Sequence, residues 1–187
     1  MDLNEIFIEN PVIAAIRNKE DIKKSIQSKA KICFVLFGNV LNIADICRIL
    51  KEEGKIVFVH IDMIEGLKAD SSAMEFLKKY AGMHGIITTK SFNVKHARKL
   101  GLLAIQRVFI VDSLSLKTGI KNIIENSPAG VEVMPGVASK IINNMRPKIK
   151  NIPIIAGGLI KDKKDVMEAL SAGAVAISTT THKLWDC

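Results

Sequence analysis

The chain has 187 residues, of which 48% are hydrophobic and 25% are charged, and its formal net charge is +8. This size and composition are those of a globular chain that buries its own core, so we expect one domain over residues 1–187. Apolar runs stay well short of the about 18 uncharged residues that a membrane-spanning helix needs, and the basic excess favours an anionic partner such as a nucleic acid or a phosphorylated metabolite.

The N-terminus and the cysteines indicate where the protein resides. The first eleven residues, MDLNEIFIENP, are acidic where a signal peptide is basic, so we expect a cytoplasmic protein. Cys33, Cys47 and Cys187 are far apart and form no CxxC pair. Cys33 and Cys47 fall in apolar patterns, which predicts reduced core thiols without a metal or redox role.

Eight runs rich in Val, Ile and Phe, each bounded by Gly, Pro or Asn, predict eight strands. In chain order they are VIAAIR (12–17), ICFVLFG (32–38), IVFVHID (56–62), GIITTK (85–90), LLAIQRVFI (102–110), GVEVMPG (130–136), IPIIAGG (152–158) and AVAISTT (174–180). Most are continuously apolar rather than alternating, which is typical of parallel strands covered on both faces.

Segments with helical periodicity lie between these strands, clearest over residues 42–54, 90–101 and 161–173. Their predicted N-caps are Asn42 or a residue close to it, Ser91 and Asp162, and each segment ends at a glycine. Strand starts recur about every 23 residues from residue 12 to residue 174.

Eight strand–helix units predict an α/β fold, a single compact (β/α)8 TIM-type barrel with phosphate-binding loops after strands seven and eight. An open doubly wound sheet has five or six strands more often than eight. Leu3, Ile6 and Phe7 predict a turn of helix that closes the floor of the barrel, and the final HKLWDC leaves little length for a last helix.

Small, donor-rich residues follow the last two strands: Gly157 and Gly158 after the seventh, and Ser178 and Thr179 after the eighth. Glycine lets the backbone N–H approach an anion closely, and hydroxyl residues at the start of a short helix add further donors. These four residues therefore predict a phosphate site. The alternative that they are ordinary turn residues stays open.

Charged or polar residues also stand at the ends of other strands, where a buried strand would avoid them unless they are paired. They are Arg17, His60, Asp62, Lys90, Arg107 and Glu132. Because the carboxyl ends of barrel strands meet at one mouth, we expect a pocket for a small hydroxylated anion. Arg17, Lys90 and Arg107 would supply positive charge. Asp62 and Glu132 would accept hydrogen bonds from hydroxyls.

Catalytic and metal roles have less support. A metal site of His60, Asp62 and Glu65 lacks the dense ligand cluster that zinc or calcium requires. Lys90 as a Schiff-base lysine stays open, although no sequence neighbour indicates a lowered pKa. P-loop, dinucleotide, nucleophile-elbow and RNA-binding motifs are absent from the sequence. We therefore assign no catalytic residue, no metal and no cofactor.

Six blocks resemble the glycerol-3-phosphate responsive antiterminator family over nearly the whole chain. They are FVHIDMIEGLKAD (58–70), GIITTKS (85–91), AIQRVFIVDS (104–113), VEVMPGVASKII (131–142), IPIIAGGLI (152–160) and THKLW (181–185). The resemblance implies a small barrel that binds glycerol 3-phosphate as its effector. It also implies action on the leader mRNA of glycerol operons, where the regulator prevents termination of transcription.

Carried over to this sequence, the resemblance assigns the phosphate to Gly157, Gly158, Ser178 and Thr179, and it places the six polar strand-end residues around the glycerol moiety. It assigns no RNA contacts. The basic clusters that charge alone suggests for RNA are Lys161, Lys163 and Lys164, together with Lys140, Arg146, Lys148 and Lys150.

Two questions stay open at this point. The first is whether the chain forms a homo-oligomer. The second is an alternative function, a phosphate-binding isomerase, lyase or phosphodiesterase that uses either His60 with Asp62 or Lys90 with Glu132.

Overall fold

A computed structural model describes residues 3–187. Eight parallel strands form a closed barrel in the order β1 to β8, and β8 pairs with β1. The strands are Val12–Ile16 (β1), Ile32–Val35 (β2), Ile56–His60 (β3), Gly85–Thr88 (β4), Leu103–Phe109 (β5), Gly130–Met134 (β6), Ile154–Gly157 (β7) and Ala176–Thr179 (β8). The (β/α)8 prediction is confirmed.

Eight α-helices accompany the strands in the described residues. They are Leu3–Glu9 (α1), Lys19–Gln27 (α2), Ile43–Glu52 (α3), Ser71–Phe76 (α4), Ser91–Lys99 (α5), Ser113–Asn126 (α6), Ser139–Met145 (α7) and Lys163–Ser171 (α8). A π-helical segment, Leu77–Ala81, continues α4, and single 3-10 turns follow β3 (Ile61–Met63) and β8 (His182–Leu184). None of the described helices is both long and apolar enough to cross a membrane.

The apolar residues divide into two packed layers because neighbouring residues of a strand point to opposite faces. One set, which includes Ile13, Phe34 and Phe58, fills the interior of the barrel. The other set, which includes Val57, packs against the surrounding helices. Continuous apolar strands are thus explained by burial on both faces.

Helix α1 closes the end of the barrel where the strands begin. Leu3 and Phe7 are buried in the same cluster as the interior strand residues, with Ile6 packed against it. The ring of Phe7 lies beside Gly130, the first residue of β6. The predicted closure of the floor therefore agrees with the structure.

The helix starts confirm two of the three predicted N-caps. Asp162 caps α8 in a capping box with Asp165. Asn42 is the N-cap of α3, but its side chain accepts a hydrogen bond from the Asn39 N–H rather than from the helix. The prediction for Ser91 is wrong: Lys90 is the N-cap of α5 and Ser91 is the first helical residue. The helix begins one residue earlier because Asp62 and Thr88 bind the backbone of Thr89 and Lys90 directly before it.

Candidate functional site

A cavity of about 410 Å³ opens at the mouth of the barrel, where the strands end. Six of the ten predicted site residues line it, and they come from β1, β5, β6, β7 and β8 or from the loops that follow them. These six are Arg17, Arg107, Glu132, Gly158, Ser178 and Thr179. His60, Asp62, Lys90 and Gly157 do not line the cavity wall.

A buried ionic network forms the floor of this cavity. Arg107 Nε donates to Glu132 Oε2 at 2.5 Å, and the Ser178 hydroxyl donates to the other oxygen of the same carboxylate. Arg107 is 7% exposed and Glu132 is 1% exposed. Because a buried charge is costly without a partner, the two residues are held together. The network joins a residue predicted for the phosphate to two predicted for the glycerol moiety.

Gly157 is required by this network. A Cβ at position 157 would lie 2.6 Å from Glu132 Oε1 and 2.8 Å from Ser178 Oγ, so any side chain would displace that hydrogen bond. Gly158 has a φ of +80°, and a Cβ there would meet Met134 Cε at 2.8 Å. Steric constraints alone therefore explain why glycine stands at both positions, independently of any ligand.

Unpaired donors collect at the rim of the cavity. The N–H groups of Leu159 and Thr180 donate to no acceptor in the described part of the chain. Lys161 also lines the cavity, and its exposed side chain has no carboxylate partner there. The side chain of Arg17 is likewise exposed and free of ion pairs within residues 3–187. Free amides and unpaired cations are the groups that bind a phosphate dianion.

The hydroxyls near β8 tie two loops together. Thr179 Oγ1 donates to the Ile160 carbonyl at 2.8 Å, and Thr181 Oγ1 donates to the same oxygen at 3.2 Å. The indole N–H of Trp185 donates to the Thr179 carbonyl. Thr179 therefore fixes the loop after β7 against the loop after β8, and the hydroxyl that was predicted to face the phosphate is engaged within the protein.

A buried carboxylate joins the first and last units of the barrel. Asp21, at the start of α2, is 4% exposed. One of its oxygens accepts the backbone N–H of Arg17 at 2.8 Å, and the other lies 2.7 Å from His182 Nε2. Both contacts are with the loops that carry the rim cations and amides. Asp21 thereby fixes the relative position of two cavity walls.

His60 and Asp62 lie deeper and to one side. Burial, followed by the positive charge of Arg107, lowers the pKa of His60 to about 4, although Asp62 opposes the shift. His60 is therefore neutral near pH 7. Its Nδ1 is 3.9 Å from Asp62 Oδ2, beyond hydrogen-bond distance, and has no partner within residues 3–187. Asp62 instead accepts hydrogen bonds from Thr88 and Thr89, including the Thr89 N–H at 2.7 Å.

Two other expectations concern Lys90 and a metal site. Lys90 is exposed at the start of α5, outside the cavity wall. Within residues 3–187, no group of three His, Cys, Asp or Glu side chains is arranged to hold a metal ion.

Sequence reasoning missed three residues that contribute to the site. It assigned Lys161 to a basic cluster for RNA, although its place between the end of β7 and the cap of α8 is itself a signal for the mouth of the barrel. It did not single out Asp21 or His182. Their contact joins residues 161 positions apart, and no local pattern indicates it.

The chain is similar to a described protein family and to a bacterial protein over nearly its whole length. Residues 12–185 match the family described as "Glycerol-3-phosphate responsive antiterminator". The uncharacterized protein YgcP of Escherichia coli K12 is 37% identical over 185 residues, which cover 99% of this chain and 96% of that protein.

Two solved structures are similar in both sequence and fold. A glycerol uptake operon antiterminator regulatory protein from Listeria monocytogenes is 32% identical with a TM-score of 0.89, covering 93% of this chain and 94% of that one. A glycerol uptake operon antiterminator-related protein from Thermotoga maritima is 36% identical with a TM-score of 0.84, covering 94% and 98% of the two chains.

Proposed function

The chain belongs to the glycerol-3-phosphate responsive antiterminator family, and from this premise we propose that it senses glycerol 3-phosphate at the barrel mouth and in response binds the leader mRNA of a glycerol operon. The family description supports a regulatory role in general. The ligand, the transcript and the residues that bind them are the specific content of the proposal.

One observation carries the proposal: the cations at the rim of the cavity have no ion-pair partner among residues 3–187, whereas the charged residues at its floor are bonded to one another. Arg17 and Lys161 line the cavity beside amides without acceptors, so a phosphate dianion placed there would gain charge-assisted hydrogen bonds. Glu132 lines the cavity below this rim, but Arg107 and Ser178 each already donate to one of its carboxylate oxygens, so a hydroxyl of the glycerol moiety would share those acceptors. The roughly 410 Å³ of the cavity accommodates a small metabolite.

The enzyme alternative has less geometric support. Its first pair, His60 and Asp62, is 3.9 Å apart and lacks the hydrogen bond through which a base is oriented. Its second pair separates an exposed Lys90 from a Glu132 that is 1% exposed. The geometry therefore supports binding of the phosphate compound better than its conversion.

The test measures the affinity of the protein for the transcribed leader of a glycerol operon from the same genome, by fluorescence anisotropy at fixed salt. Affinity is compared without ligand, with glycerol 3-phosphate and with glycerol. We expect glycerol 3-phosphate to raise the affinity by about 5- to 150-fold, the usual range of coupling between linked sites, and glycerol to leave it unchanged. Equal affinities in all three conditions would overturn the proposal.

A further inference from the structure

The excess positive charge of the chain lies in two stretches, one before α6 and one after it. Residues 71–101 contain six lysines and arginines against a single carboxylate, Glu75, which gives this sixth of the chain a net charge of +5 out of +8. The six cations are Lys78, Lys79, Lys90, Lys95, Arg98 and Lys99. The stretch comprises α4, its π-helical continuation, β4 and α5.

These cations lie on neighbouring surface elements and lack counter-ions. Lys78 Nζ donates to the carbonyl of Leu100, which joins the π-helical segment to the end of α5. In the described residues, none of the six is ion-paired with a carboxylate, whereas Lys24, Lys121 and Lys164 on other helices each pair with a glutamate four residues away. The potential of this surface is therefore not cancelled locally.

An exposed aromatic ring lies at the edge of this stretch that borders α3, where Tyr80 and Lys79 line a shallow surface cavity with Lys51 and Glu52. Tyr80, the single tyrosine of the chain, is 59% exposed in the π-helical segment. The ammonium of Lys79 lies 5.1 Å from the centre of the Tyr80 ring. The Phe76 ring packs against the Tyr80 ring, with 5.1 Å between the two ring centres. Exposed aromatic rings beside cations are the combination on which single-stranded bases stack.

We propose that this basic face, defined by Lys78, Lys79, Tyr80, Lys95 and Lys99, binds single-stranded RNA. The inference rests on the proposed function and adds to it the surface that the RNA occupies. Lys95 and Lys99 are four residues apart and both exposed, so they lie on one side of α5. Lys90, at the other end of α5 near the barrel mouth, extends the positive charge toward the ligand cavity.

A second basic stretch is less suited to RNA. Residues 133–161 carry Lys140, Arg146, Lys148, Lys150 and Lys161 without any carboxylate, but they contain no Phe, Trp or Tyr. Lys161 faces the ligand cavity. This stretch offers charge without a stacking surface, which makes it the matched control.

The experiment compares two triple variants that remove the same number of charges. The first is Lys79→Gln/Lys95→Gln/Lys99→Gln on the basic face. The second is Lys140→Gln/Lys148→Gln/Lys150→Gln, all three of which are exposed. Binding of a fluorescein-labelled single-stranded RNA of about 16 nucleotides, the upper end of single-strand site sizes, is followed by anisotropy across a salt series with glycerol 3-phosphate present. Tyr80→Leu is measured alongside.

We expect the basic-face triple to bind RNA about tenfold or more weakly and to lower the magnitude of the log–log salt slope by about 2, since each phosphate contact to a single strand contributes about 0.7. The control triple should stay within about twofold of wild type. Tyr80→Leu should weaken binding about fivefold or more while the salt slope stays the same, because stacking is not ionic.

The outcomes separate this inference from the proposed function. If the wild type binds RNA and both triples lose affinity equally, or the control loses more, the basic face is not the RNA surface and the proposed function stands. If the wild type binds neither this RNA nor the leader transcript with or without glycerol 3-phosphate, both fail. Calorimetric titration of the basic-face triple with glycerol 3-phosphate should give the wild-type affinity, which shows that its cavity is intact.

Discussion

His182 Nε2 lies 2.7 Å from Asp21 Oδ1, and this contact joins the turn after β8 to α2, the helix that follows β1. The other oxygen of Asp21 accepts the backbone N–H of Arg17, a cation at the cavity rim. One buried carboxylate thereby positions two walls of the proposed phosphate site. Asp21 does not line the cavity, so we expect it to affect a bound ligand through these neighbours and not by contact.

Asp21→Asn should therefore weaken binding of glycerol 3-phosphate by about tenfold, because the weakened contact with His182 frees the loop after β8. The unfolding free energy should fall by about 1–3 kcal/mol, the usual loss for a buried charged hydrogen bond. Glu20→Gln is the matched control, since it removes the same charge from the preceding residue, whose side chain is exposed. Equal affinities in titration calorimetry for the two variants would exclude a positioning role for Asp21.

Arg17→Gln should lower the affinity for glycerol 3-phosphate by about 10- to 100-fold, the range for loss of a hydrogen bond to a charged group. The melting temperature without ligand should not change, because the Arg17 side chain is exposed and has no ion pair within residues 3–187. Lys19→Gln removes an equal charge two residues later, outside the cavity wall, and should bind as wild type does. A similar loss in both variants would mean that net charge, not the rim, determines affinity.

Glu132→Gln should lower the unfolding free energy by about 3–5 kcal/mol, since it leaves the buried guanidinium of Arg107 without its counter-charge. Urea unfolding measures the change. Arg48→Gln, which breaks exposed ion pairs with Asp45 and Glu52, should cost less than about 1 kcal/mol. If the two substitutions cost the same, the floor of the cavity is not held together by its buried ion pair.

Acidification should destabilise the protein through His60. Its pKa is about 4 in the folded state against 6.5 as the ordinary value, so the unfolded chain binds a proton in this window that the folded chain does not. Stability is therefore fully retained above pH 6.5 and falls as the pH drops toward 4, by at most about 3 kcal/mol from this residue.

The control for this pH dependence is His60→Gln, which cannot titrate. The pKa of His84 is also lowered by burial, but His84 is present in both proteins. The unfolding free energy of the wild type minus that of the variant, both measured by urea, should thus be constant above pH 6.5 and fall below it. Parallel curves from pH 7 to pH 4 would contradict the neutral, buried state of His60.

The barrel itself was predictable because its determinants are local. Each strand is a short apolar run that ends at small or polar residues, and the capping box joins Asp162 to Asp165, only three positions later. The start of α5 was misplaced by one residue because it depends on Asp62, which approaches from the preceding unit. A single sequence does not display such a contact.

The candidate site was predictable in its position and less so in its internal contacts. Strand ends must meet at one mouth, which brought Arg17, Arg107 and Glu132 together. The sequence does not show that the Ser178 hydroxyl donates a hydrogen bond to Glu132. Nor does it show that these two side chains leave no room for a side chain at position 157. Those relations depend on distances between strands that only the folded barrel sets.

Calorimetric titration of the wild-type protein with glycerol 3-phosphate, followed by recovery of the ligand, tests the central claim most directly. We predict saturable binding at one site per chain, no comparable binding of glycerol, and chemically unchanged glycerol 3-phosphate after prolonged incubation. Absence of saturable binding, or recovery of a converted product, would contradict a barrel that senses this metabolite.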